Sequence, residues 1–201
     1  MNEAKIQLSA EELQLVQDTT WVLTKNRIIQ KAYVLLGNLS QRLQEVLASR
    51  GLPEALAAFS PKISRGENYK GLPYLVLDYP RIFARQDVFA IRTMMWWGNY
   101  FTVTLQLKGP SLEQYGPRVA ERAQRLASQG FQLYRGEGEW IHEMDEDHYI
   151  PMRGLSATEV LNIARDQAFL KCTAKIGLSQ WNESEKKLGD FYEVLADCLL
   201  P

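Results

Sequence analysis

The chain has only two histidines, six residues apart, in the run His142-Glu143-Met144-Asp145-Glu146-Asp147-His148. Two imidazoles and a carboxylate such as Asp145 could hold a divalent transition metal and leave a position open for chemistry. The spacing departs from HExxH, in which the second histidine comes four residues on and both rings share one helix face. This stretch instead reads as strand and turn, where neighbouring acids are ordinary solvated charge. No cofactor is therefore expected. A metal on His142, Asp145 and His148 is the lesser alternative.

Arg92 is a second candidate, because it interrupts the apolar run VFAIRTMMWW at residues 88–97. A guanidinium inside a sheet needs an acceptor, since a buried charge left alone is prohibitively costly. Asp78, in YLVLDYP, is the first candidate partner, and Glu67, in RGENY, is the second. The pair has two readings: an ion pair that fixes strand order, or an arginine that clamps a carboxylate or phosphate. Asp78 and Glu67 are also the carboxylates that an acid/base hydrolytic enzyme would use. Arg118, Arg122 and Arg125 lie at helical spacing and could meet nucleic-acid phosphates. The net charge of −1 and the interruption by Glu121 favour a solvated helix face, so nucleic acid is disfavoured as a partner. The chain contains no GxxxxGK[ST], no GxGxxG after a strand and no GxSxG elbow.

Aromatic side chains crowd one corner, MMWWGNYFTVTLQL at residues 94–107. If Gly98 and Asn99 form a two-residue hairpin loop, Trp97 faces Tyr100 and Trp96 faces Phe101. Alternation then sends Trp96, Met94, Phe101, Val103 and Leu105 into the core, together with Arg92. Phe89, Met95, Trp97 and Tyr100 fall on the other face, with Asp78 nearby. So much apolar area on a second face implies cover by the chain itself, a second copy, or a small apolar or acidic ligand.

These residues need elements to position them. Ser9-Ala-Glu-Glu12 is a capping box that starts a helix. A longer helix follows to Arg50 and is closed by Gly51; its apolar stripe allows either core packing or dimerisation. Residues 61–109 read as four strands rich in aromatic and β-branched residues, separated by Gly and Pro. FQLYRG and EWIHEM flank a Gly-rich turn as a hairpin, and YIPM reads as one more short strand. Ser156-Ala-Thr-Glu159 caps a helix predicted to run to Gly177, and a last helix fills the C-terminal stretch. The expected fold is a single α+β domain: an antiparallel meander of about four strands plus a later hairpin, packed against N- and C-terminal helices.

At 201 residues and 46% hydrophobic, the chain can bury a core without staples. Its two cysteines, Cys172 and Cys198, read as buried thiols on helix stripes. They suit a reduced, cytoplasmic protein. The N-terminus reads as neither signal peptide nor membrane anchor. RGENYKGLPYLVLDYPRIF, followed by IRTMMWWGNYF, is similar to conserved hypothetical proteins of bacteria over about residues 60 to 107. That resemblance implies a bacterial, cytoplasmic protein and carries no activity, cofactor or catalytic residue. The functional expectation is a non-catalytic binding or interaction module, self-associating as a homodimer. The alternative is an enzyme built on the histidine cluster or on Asp78 and Glu67.

Overall fold

The computed structural model describes residues 6–200. The Ser9 capping box forms as expected: the Glu12 amide donates to the Ser9 hydroxyl at 3.1 Å, and the Ser9 amide donates to the Glu12 carboxylate at 2.7 Å. It opens helix α1 (Ala10–Gln17). Asp18 then caps α2 (Thr19–Ser49) by accepting from the amides of Thr20 and Trp21. Gly51 takes the left-handed conformation that follows this helix, at φ +72°. A single turn, α3 (Glu54–Ala57), leads into the meander β1 (Lys62–Tyr69), β2 (Leu72–Phe83), β3 (Val88–Trp96) and β4 (Tyr100–Lys108). Helices α4 (Pro110–Glu121) and α5 (Ala123–Ser128) come next, then β5 (Gln132–Tyr134), β6 (Tyr149–Pro151), α6 (Ala157–Asp166), β7 (Phe169–Gly177) and α7 (Ser184–Leu199).

The fold is α+β with an antiparallel sheet, but the sheet is larger than about four strands and a hairpin. Seven strands lie in the order β1-β2-β3-β4-β7-β5-β6, and every pairing is antiparallel. The additional central strand is β7, which pairs with β4 from Tyr100–Gly177 to Lys108–Phe169. The helix predicted from Ser156 to Gly177 ends at Asp166, and Ala168 breaks the chain at φ +63°. Beyond that break the pattern has a period of two. Leu170, Cys172, Ala174 and Ile176 face the main core, while Lys171, Thr173 and Lys175 alternate with them. Cys172 is thus a strand residue; it and Cys198 are both buried and free.

The helices gather on one face of the sheet. Ala32, Leu36, Leu39 and Leu43 of α2, Val119 of α4, Val160 of α6 and Leu195 of α7 share one cluster with Leu77, Ile91, Val103, Leu105 and Cys172 of the sheet. No helix is long and apolar enough to cross a membrane among the described residues.

The aromatic corner differs from the expected two-residue loop. Trp96 pairs with Tyr100, so Trp97, Gly98 and Asn99 form a three-residue turn closed by Asn99 N–H donating to Trp96 O at 3.1 Å. Gly98 has φ +74°, a left-handed conformation that glycine takes without steric cost. One extra residue reverses the sides of β3 relative to β4. Phe101, Val103 and Leu105 still face the helices, but their partners there are Met95 and Ile91, not Trp96 and Met94.

Candidate functional site

The sheet face away from the helices carries Asp78 of β2, Arg92, Met94 and Trp96 of β3, Tyr100, Thr102, Thr104 and Gln106 of β4, and Lys171, Thr173 and Lys175 of β7. A layer so rich in polar groups survives burial only if each group finds a partner. Some pair within the sheet, as Thr104 does with Thr173 at 3.0 Å, and others find partners in residues 135–148. This stretch is not the expected second hairpin strand but an irregular strap laid across the face. Side chains of the sheet do for it what a ladder does for a strand. Lys171 Nζ donates to the carbonyls of Glu139, at 3.2 Å, and Ile141. Lys175 Nζ donates to Met144 O at 3.2 Å, and the Tyr134 hydroxyl reaches the carbonyls of Glu137 and Gly138, each at 3.0 Å. The strap's own amides donate to phenol oxygens, His142 N–H to Tyr69 at 2.8 Å and Met144 N–H to Tyr100 at 2.9 Å. The Glu139 carboxylate closes on Lys108 Nζ at 3.1 Å.

Between strap and sheet lies a cavity of about 270 Å³ near the β1 edge. Tyr69, Tyr74 and Trp140 wall it, Val76 and Met94 contribute apolar surface, and Ser64, Arg65, Arg92 and His142 bring polar groups. Arg92 is held rigidly. Its Nε and Nη2 grip the two Asp78 oxygens at 2.7 and 3.0 Å, a bidentate fork with the first partner the sequence suggested. The Phe83 and Trp140 rings stack near the guanidinium carbon at 5.6 and 5.8 Å. Nη1 lies 3.3 Å from His142 Nε2. Three of the five guanidinium N–H donors are thereby engaged, and the partly exposed remainder borders the cavity.

The charge states follow from burial and from the cations. His142 is pushed down to about 3, first by burial, then by Lys171 and Arg92. It is neutral at pH 7 and can accept from Arg92. Lys171 is brought down to about 7 by burial and by Arg92, against a weaker pull from Glu139. Tyr69 is raised to about 12, chiefly by burial, and so keeps its proton and donates to Glu143 at 2.9 Å. Lys171 and Arg92 both oppose protonation of the His142 ring.

The residues singled out in the sequence disperse over this frame. Arg92, Asp78 and Tyr100 lie on the strap side. Phe89 and Met95 lie on the helix side, at 0% and 2% exposure, because the three-residue turn reverses β3; they form no surface with Tyr100. Trp97 sits in the turn itself, half-buried, beside a shallow depression lined by Trp21 and Ile28. The histidines do not converge. His142 packs on Tyr69 with ring centres 5.5 Å apart, whereas His148 bonds Asp145 at 2.7 Å and stacks on Tyr134. Among the described residues no group of three or more His, Cys, Asp or Glu side chains is placed to hold a metal ion. Glu67 stands outside the cavity lining, bonded to Lys25 and Arg65. Of Arg118, Arg122 and Arg125, the last bonds Asp197, which also bonds Arg50.

The chain matches no protein-family model, no curated protein and no solved structure. No local motif marks the strap, or Trp140, Lys171 and Tyr69 as parts of one site. The one available signal was the alternation of lysines with apolar residues in 169–176, which marks a strand with one polar side.

Proposed function

We propose that the chain is a non-catalytic binding module for a small, flat molecule bearing one acidic group, taken into the cavity between strap and sheet. The observation that carries this reading is Arg92. Asp78 and two aromatic rings immobilise it, yet it retains N–H donors at the edge of an aromatic-walled cavity. Rigid donors bind an anion at little entropic cost. The free Arg92 donors suit an anionic head, and Tyr69, Tyr74 and Trp140 suit a planar body. A hydrolytic enzyme is the weaker reading, because Asp78 is tied to Arg92 and the two histidines point to different neighbours.

The test uses 2-naphthoate and its uncharged amide as probes, followed by tryptophan fluorescence and calorimetry. The acid should bind and quench, and the amide should bind at least tenfold more weakly. Arg92→Met should abolish the difference. Since that variant also strips Asp78 of its partner, Gly66→Ala gives a second check. A Cβ at Gly66 would stand 2.3 Å from the Tyr74 ring, so this tyrosine must swing and reshape the cavity wall. Equal binding of acid and amide, or binding unchanged in both variants, would rule the reading out.

A further inference from the structure

The N-terminal end of the molecule is built for a contact it does not make within one chain. Helix α1 has no buried residue, and in α2 the first buried residue is Ile29. Residues 19–23 of α2, about 7 Å of helix, are exposed, whereas Thr24, Lys25 and Ile28 are half-buried and Lys25 bonds Glu67; α1 lies at the exposed tip. Eight residues with one capping box are too few to stay helical in water without tertiary contacts, as isolated helices shorter than about 12–15 residues are marginal. Yet Leu13 and Val16, three apart on one side of α1, are 48% and 68% exposed. On α2, Leu23 and Val34 are exposed at 57% and 65%, on the side turned away from the Ile29–Ala32–Leu36–Leu43 core stripe.

The two uncovered surfaces match each other in length and charge. Leu23 and Val34 stand about 16 Å apart along the axis, and α1 is about 12 Å long. The stripe carries Arg27 and Lys31 between its apolar ends. α1 offers Glu12, one turn from Val16 on the same side, and no base; Glu11 lies on the opposite side. Within the chain these surfaces lie on successive helices joined through Asp18 alone, which leaves α1 no span to fold back onto α2. We propose that α1 is an exchanged arm: in a two-fold dimer, α1 of each copy packs across Leu23 and Val34 of the other. Acidic arm meets basic stripe twice, as an isologous interface requires. The contact buries the exposed apolar parts of Leu13, Val16, Leu23 and Val34 in both copies.

Sedimentation velocity on the full chain tests this. The wild type should sediment with the mass of two chains. Leu13→Glu with Val16→Glu, and separately Leu23→Glu with Val34→Glu, should each give one-chain mass. The main thermal transition should persist, because these side chains lie outside the core. Arg27→Glu with Lys31→Glu should weaken the dimer at least tenfold, and raised salt should weaken the wild type in the same direction. A one-chain mass for the wild type overturns the proposal. So does a two-chain mass that survives either apolar pair, which would place the interface elsewhere or leave the arm to a different protein.

Discussion

One sheet serves two unlike covers. Its helix side is dry: Ile91, Val103, Leu105, Leu170 and Cys172 meet apolar helix faces, and contact is non-directional. Its strap side carries two lysines, three threonines, a glutamine, an arginine and an aspartate, of which the lysines, glutamine and arginine reach a segment with no regular structure. There each contact has a direction, a distance and a charge state. Specificity in such a fold sits on the polar side. Apolar packing supplies cohesion without caring which way a residue points. The polar layer supplies little net stability per bond, about 1 kcal/mol, but it holds Arg92, His142 and Trp140 in a fixed arrangement.

Leu105→Ala should cost about 3 kcal/mol or more in urea unfolding, with the whole molecule affected, because Leu105 is fully buried at the centre of the sheet. On the strap side, Asp78→Ala should cost about 2–3 kcal/mol by leaving Arg92 without its acceptor. Adding Arg92→Met should recover most of that loss, and an additive double variant would refute the coupling.

A third prediction concerns pH and applies to the strap side alone. Lys171 binds its proton less tightly folded, near 7, than unfolded, near 10.5. Between those values the unfolded chain holds more protons, so stability rises with pH, by at most about 1.4 kcal/mol per unit. Lys171→Met should remove that slope. His142 acts in the same sense at lower pH. Its folded value near 3 lies below the ordinary 6.5, so stability falls as pH drops through that window, and His142→Gln should flatten the acid limb. The smallest effect belongs to Lys175→Met. It frees one carbonyl at Met144 and should speed amide exchange in the strap while moving global stability by under about 1 kcal/mol.

The meander was legible because its four strands are separated by strong turn signals and carry β-branched and aromatic runs. The Ser9 and Ser156 caps were legible because a capping box is local chemistry. The Arg92–Asp78 pair followed from cost alone: a guanidinium in a strand had to find a carboxylate on its neighbour. What could not be read was non-local or counted in single residues. β7 was merged with α6 because Ala168, not glycine, takes the left-handed break. The strap carries no periodicity, since side chains from distant strands hold it. The sides of β3 were reversed because Gly-Asn serves two-residue and three-residue turns alike, and only pairing to β2 and the core decides between them.

That turn has a further consequence. The strands beside it are locked from opposite directions, β3 through the Arg92 fork and β4 through Phe101 and Val103. Its odd length sets the phase between them. Deleting one residue from 97–99 would demand that one strand rotate by half a pleat, driving either a guanidinium into the helices or a phenylalanine into the polar chamber. Replacement of Trp97 or Asn99 should be forgiven far more readily than any change in their number.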